Sequence, residues 1–112
     1  MTLIIEDLKR ALAVEPNNLS FDGELYVNIN LAKSILIQLG VEELDIDINE
    51  ATSWPVFNSD VVGEFAKQYI VLTVKSIFDP TASETIRKTF ADTIASLESR
   101  IVHELDEEAA NV

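Results

Sequence analysis

The strongest hydrophobic pattern lies in the C-terminal third of the chain. From residue 83 to residue 105, large apolar residues recur at steps of three and four, at Ile86, Phe90, Ile94, Leu97, Ile101 and Leu105. This spacing predicts an amphipathic helix over about 83–105. The segment 60–78 is apolar on nearly all sides between Tyr69 and Val74, which is typical of a central helix buried on more than one face.

A short turn separates these two predicted helices. It consists of Phe78, Asp79 and Pro80. Proline lacks a backbone N–H and disfavours the helical conformation of the preceding residue, so the first helix is expected to end near Phe78 or Asp79. Thr81 or Ser83 can cap the following helix. We interpret Phe78, Asp79 and Pro80 as a helix-turn motif that folds the two helices into an antiparallel pair.

Two more helices are predicted in the N-terminal part. Residues 2–13 carry apolar residues at helical spacing, and the Pro16 turn follows them. Residues 22–39 form the second predicted helix, with Asp22 as its expected N-cap and Gly40 as its C-terminal stop. Together the patterns predict an all-α fold, a small bundle of about four helices in a single domain of residues 1–112.

The segment 41–58 is the least helical part of the chain. Leu44, Ile46 and Ile48 alternate with polar residues, a period of two that suggests an extended segment. It is expected either to pair as a β-arm with a neighbour or to form an acidic loop pinned by its aliphatic residues. Trp54 and Phe57 follow, and they are expected either to cap the helical core, which we favour, or to fill a pocket of a partner.

The patterns also predict which residues form the core. These come from the three longer helices: Leu25, Ile29, Leu36, Phe65, Tyr69, Leu72, Phe78, Ile86, Phe90, Ile94, Leu97 and Ile101. Residues 106–112 are expected to form a mobile acidic tail.

Composition and charge exclude several classes of function. The chain of 112 residues has a net charge of −12, from 20 acidic and 8 basic residues. Binding nucleic acid by phosphate neutralisation needs clustered Lys and Arg, so this charge argues against it. There is no cysteine, no apolar run of the roughly 20 residues that cross a bilayer, and no signal-peptide layout at the N-terminus. We therefore expect a protein that is cytoplasmic or is assembled in a cytoplasm.

Candidate chemistry is sparse. Asp45, Asp47 and Asn49 copy the opening of an EF-hand loop, but the glycine position is Glu50 and the bidentate glutamate position is Val56. His103 is the only histidine, and no serine has a plausible base and orienting group around it. The sequence thus predicts no metal site, no cofactor and no enzyme.

The central stretch resembles a known family. Residues 69–80, YIVLTVKSIFDP, followed by a capped helix that ends in LESRI at residues 97–101, are similar to the head–tail adaptor proteins of long-tailed bacteriophages, also called head-tail connector or head-completion proteins. That family usually has an apolar helix rich in tyrosine, a Phe-Asp-Pro-Pro turn and a helix ending in a similar run. Thr81 stands where the second proline often falls. The resemblance covers about residues 22–105.

This resemblance implies a structural virion protein. Such a protomer would form a ring with copies of itself, expected to be twelvefold, under the portal protein, extend the DNA channel, and join the capsid vertex to the tail or to a stopper or tail-completion protein. DNA would pass without specific binding, and no membrane would be involved. The protein would lie at the head–tail interface of the virion after assembly in the host cytoplasm. Candidate partner-contacting residues are Trp54, Phe57, Asp106, Glu107 and Glu108.

An alternative hypothesis belongs to a different class. The acidic composition also fits a helical regulatory module, such as an antitoxin or a DNA-mimic inhibitor that binds a basic protein. Such a module would be a monomer or dimer with salt-sensitive binding, whereas an adaptor would assemble with a portal.

Overall fold

The computed structural model describes residues 2–78 and 83–110. It contains four α-helices, α1 (Ile4–Ala11), α2 (Asp22–Leu39), α3 (Asp60–Phe78) and α4 (Glu84–Ala110), and a short 3-10 turn at Glu42–Leu44. The part of the chain that is described has no β-strand, only an isolated antiparallel bridge between Leu3 and Ser53. The predicted all-α class is confirmed. The Cα atoms span 45 × 35 × 19 Å, so the protomer is flat.

The ends of the helices follow local rules. Helix α2 stops at Gly40, whose φ of 115° lies in the left-handed region that glycine tolerates without strain. The Ser59 hydroxyl accepts a hydrogen bond from the Val62 N–H at 3.2 Å and caps α3. Ser83 caps α4 in the same way, through the Ile86 N–H at 3.2 Å. The alternative cap, Thr81, lies outside the described residues.

The first turn of α2 differs from the expectation. Asp22 is not the N-cap but the first helical residue, and no side chain caps this end. Instead, its carboxylate lies 2.8 Å from the ammonium group of Lys9 on α1. Lys9 is only 4% exposed and also donates to the carbonyl oxygens of Pro16 and Asn18, at 3.3 and 3.1 Å. One buried cation therefore joins α1, the following turn and α2.

Both ends of the chain differ from the predicted boundaries. Helix α1 begins at Ile4, because Thr2 and Leu3 are extended and pair with the segment before Trp54. Helix α4 continues to Ala110, which makes it roughly 40 Å long at 1.5 Å per residue. Asp106, Glu107 and Glu108 thus lie in its last turns and not in a separate tail.

The core lies between α2, α3 and the second half of α4, with α1 closing one side. Most predicted core residues are buried or pack against the buried cluster. The first half of α4 departs from this pattern, since Ile86 is 48% exposed and Phe90 is only partly buried. The expectation for Ile86 was wrong, because helical periodicity gives the apolar face but not how far along the helix the neighbouring helix covers it.

Within the protomer, the acidic segment after α2 forms a loop, and its pairing with a neighbour as a β-arm stays a prediction. Leu44 is fully buried, and the Lys33 ammonium group donates to the Ile46 carbonyl oxygen at 2.9 Å. Leu44 and the partly buried Ile48 thus hold the loop against the core, and the Lys33 cation joins it to α2. In the described ranges, no helix is both long enough and apolar enough to cross a membrane.

Candidate assembly surfaces

The largely apolar groove between α1 and α3 is the first candidate site. It has a volume of about 380 Å³ and is lined by Asp7, Trp54, Lys67, Gln68, Val71 and Leu72. We call it the Trp54 groove. Its lining includes an indole ring and two aliphatic side chains, and the Lys67 ammonium group lies over the indole ring, 5.8 Å from its centroid. Such a surface suits an apolar side chain from another helix.

Trp54 is fixed in this groove by a small hydrogen-bond network. It is 5% exposed, and its indole N–H donates to the Asp7 carboxylate at 2.7 Å. The Thr2 hydroxyl donates to the same carboxylate oxygen at 2.6 Å. Burial raises the pKa of Asp7, but these two hydrogen bonds and the charges of Arg10 and Lys67 outweigh it, so the pKa lies below its usual value. Asp7 therefore remains an acceptor that holds Trp54 in place.

Phe57 has a different environment from Trp54. Its ring lies against the backbone of Gly63 on α3, so close that a Cβ atom added at Gly63 would be 2.7 Å from the Phe57 Cδ2 atom. The ring is partly buried. Trp54 thus belongs to the core, as the favoured interpretation held, while part of Phe57 is still accessible to a partner.

Helices α3 and α4 are joined by a buried tyrosine. Tyr69 is 1% exposed, and its hydroxyl donates to the Glu98 carboxylate at 2.7 Å. Burial, followed by this hydrogen bond and the charge of Glu98, raises the pKa of Tyr69 far above its usual value. The hydroxyl therefore stays protonated and acts as a permanent donor across the helix pair.

Phe78, the described residue of the helix-turn motif, lies at an end of the bundle that exposes apolar side chains. Phe78 packs edge to face on Phe21, with ring centroids 5.2 Å apart, and the neighbouring Ile77 is 45% exposed. Asp79 and Pro80 lie outside the described residues. Phe78 thus acts in packing between the end of α3 and the start of α2.

The opposite end of α2 is acidic. Leu105 on α4 approaches Gly40, since its Cδ1 atom would be 3.2 Å from a Cβ atom added there. The C-terminal ends of α2 and α4 therefore meet, and neither has a basic residue in its last turn. This end carries Glu42 and Glu43 from the loop and Glu104, Asp106, Glu107 and Glu108 from α4. The Nε2 atom of His103 lies 3.1 Å from the Oε1 atom of Glu107 on the exposed side of α4.

Sequence reasoning missed one further surface, on the outside of α2. Val27 is 69% exposed and Leu31 is 50% exposed. Ser34 and Gln38 are also exposed, and the steps of four, three and four place all four side chains on one face. We call Val27, Leu31, Ser34 and Gln38 the α2 stripe. The available signal was an apolar line on the face of the helix opposite the predicted core.

The predicted partner-contacting residues therefore fall in two places. Trp54 and Phe57 lie in the segment before α3, while Asp106, Glu107 and Glu108 lie in the last turns of α4. Across residues 2–78 and 83–110, no group of three or more His, Cys, Asp or Glu side chains could hold a metal ion.

Comparison with known proteins gives one match. A family model described as phage connector protein matches residues 4–108, which include α1, α2, α3 and all but the last two residues of α4. No curated protein and no solved structure showed significant similarity to the chain.

Proposed function

This chain belongs to the phage connector protein family, and on that premise we propose that it is the adaptor protomer of a ring under the portal. The ring extends the DNA channel and joins the capsid vertex to the tail or to the next connector protein. The match over residues 4–108 carries the proposal. It also favours this function over the acidic regulatory module.

The surface chemistry supports assembly as the mode of action. The described residues form a small helical bundle that exposes an apolar groove, an uncharged stripe and an acidic end. A ring requires each protomer to present two different faces to its neighbours. The net charge of −12, repeated around a channel, would repel the DNA phosphates and let DNA pass without adhering. We propose no catalytic role for any of its residues.

The acidic end is our candidate for contact with the portal. Asp106, Glu107 and Glu108 project from the end of a helix that is continuous from Glu84. Cations are favoured near the C-terminal end of a helix, so three carboxylates there oppose its dipole and weaken the helix slightly. A basic surface on the portal would offset that repulsion.

Negative-stain electron microscopy of the chain mixed with the portal protein from the same genome tests the proposal, with the chain alone as control. Rings with a central hole, alone or stacked on the portal, are the expected result. Absence of both rings and portal binding, across salt and protein concentration, would refute the adaptor function. A pull-down for a basic partner would then test the regulatory alternative.

A triple variant tests the portal contact separately. Asp106→Asn, Glu107→Gln and Glu108→Gln remove three charges and keep the helix at its full length. We expect weaker portal binding with unchanged helicity in circular dichroism. The matched control also removes three acidic charges, with Asp45→Asn, Asp47→Asn and Glu50→Gln, all exposed in the loop. Equal loss of binding in both variants would show a general charge effect and contradict a specific contact.

A further inference from the structure

We propose that neighbouring copies of this chain meet by docking the α2 stripe of one copy into the Trp54 groove of the next. The inference rests on the proposed ring function and names the two faces that the ring requires. It commits to a second copy of the chain as the occupant of the groove.

Charge repulsion limits which faces of two copies can meet. Two copies that each carry a net charge of −12 repel each other wherever carboxylates face carboxylates. Helix α2 carries no acidic residue after Glu24, and the next one along the chain is Glu42; Lys33 is the only charged residue between them. The exposed face of α2 is therefore a surface that another acidic copy can approach without this repulsion.

The Trp54 groove has matching properties. The single carboxylate in its lining, Asp7, already accepts hydrogen bonds from Trp54 and Thr2. Lys67 in the lining lies 3.9 Å from the Glu64 carboxylate, and Arg10 beside the groove lies 3.3 Å from the Asp7 carboxylate. Each of these cations thus has an acidic partner within the protomer, and an uncharged helix face can cover the apolar lining of the groove without leaving a charge unpaired.

The shapes also correspond. Val27 and Leu31 are four residues apart, so they project as neighbouring knobs roughly 6 Å apart on one helix face. The groove is open and about 380 Å³ in volume, with Val71 and Leu72 beside the indole ring. Aliphatic knobs from a helix that enter an apolar groove follow a common mode of helix recognition.

The positions of the two surfaces suit a closed ring. On α2, the stripe lies opposite the buried line that contains Ile29 and Leu36. On α3, the groove residue Gln68 lies opposite the buried line that contains Ala66 and Ile70. Helices α2 and α3 pack against each other around the same core. Each surface therefore faces away from the core, and the two consist of different residues on different helices, as a heterologous interface requires.

Cysteine cross-linking tests this pairing directly, because the chain contains no cysteine of its own. Leu31→Cys and Gln68→Cys place one thiol on each surface, and both positions are exposed, so the variants should fold. The two variants are mixed with the portal, oxidised and analysed on a non-reducing gel. A disulfide needs Cα atoms about 4.4–6.8 Å apart, so a bond reports close docking.

The expected result is a disulfide-linked dimer in the mixture and little or none with either variant alone. The control mixture combines Leu31→Cys with Ser99→Cys, which is exposed on α4 and lies outside both surfaces. A dimer of Leu31→Cys alone would show that α2 meets α2, and would overturn the proposal. Equal yields in the test and control mixtures would also overturn it, since they would report random collision.

Microscopy of the same samples separates this inference from the proposed function. Rings without the Leu31–Gln68 disulfide would leave the adaptor function standing and refute this interface. The specific disulfide without rings or portal binding would support the interface and count against the adaptor function. Absence of the disulfide together with absence of rings and portal binding would refute both the interface and the adaptor function. A second variant, Leu31→Asp, should not form rings but should keep the wild-type melting temperature. Its control, Thr93→Asp on α4, should form rings and should also keep the wild-type melting temperature.

Discussion

The buried ammonium group of Lys9 gives the sharpest test of the packing. Lys9→Met keeps the length and most of the apolar volume of the side chain but removes the charge. The carboxylate of Asp22 then loses a partner at 2.8 Å, and the carbonyl oxygens of Pro16 and Asn18 lose a donor at 3.3 and 3.1 Å. All three contacts join α1 and the turn to the start of α2.

The expected cost follows from how much of the pair is buried. Breaking a fully buried ion pair costs about 3–5 kcal/mol, whereas exposed pairs contribute about 0–1 kcal/mol. The Lys9 side chain is 5% exposed, but that of Asp22 is 24% exposed and can be partly hydrated after the substitution. Asp22 also keeps a favourable position in the first turn of α2. We therefore expect a loss of about 2–3 kcal/mol, or roughly 8–12 °C in melting temperature.

Urea denaturation followed by far-UV circular dichroism measures this loss. The matched control is Arg10→Met, which removes a cation from the next position on the same helix. The Arg10 side chain is 74% exposed and its contact with Asp7 is 3.3 Å long, so its removal should cost less than about 0.5 kcal/mol. Equal stability of the two variants would refute the buried role of Lys9.

Three further predictions concern other parts of the fold. Ile101→Ala should lower the free energy of unfolding by about 2–4 kcal/mol because Ile101 is fully buried. Ile86→Ala should lower it by less than about 0.5 kcal/mol. Equal losses for the two variants in urea denaturation would contradict the burial of Ile101 and the exposure of Ile86. Tyr69→Phe should cost about 1–2 kcal/mol, and a double-mutant cycle with Glu98→Ala, which removes the acceptor, would show that their hydrogen bond adds nothing if it gave no coupling energy. The lowered pKa of Asp7 means that its ionised form stabilises the fold; this contribution is complete above the unfolded pKa of about 3.9 and is lost as the pH falls through the lower folded pKa. Asp7→Asn should therefore have a lower free energy of unfolding than the wild type at pH 7. Urea denaturation at decreasing pH should show the two free energies converging in acid. A difference between them that does not change with pH would contradict this role of Asp7.

The sequence by itself determined the elements of this protein. Local signals placed α2 and α3, since Gly40 supplies a left-handed C-terminal residue and the predicted end of α3 precedes Pro80. Apolar periodicity gave the all-α class and most of the core, because burial of one helix face repeats every three to four residues. The residues around the Phe78 turn gave the family resemblance, which the family match confirms.

Tertiary structure alone decided how far each face is covered. Ile86 and Ile101 belong to the same apolar line, yet only Ile101 is buried, because coverage depends on where neighbouring helices cross α4. The pairing of Asp22 with Lys9 in place of a cap, and the contact of Asp7 with Trp54 across 47 positions of the chain, likewise depend on long-range packing. The Trp54 groove and the α2 stripe are defined by what the bundle leaves uncovered, and local periodicity does not contain that information.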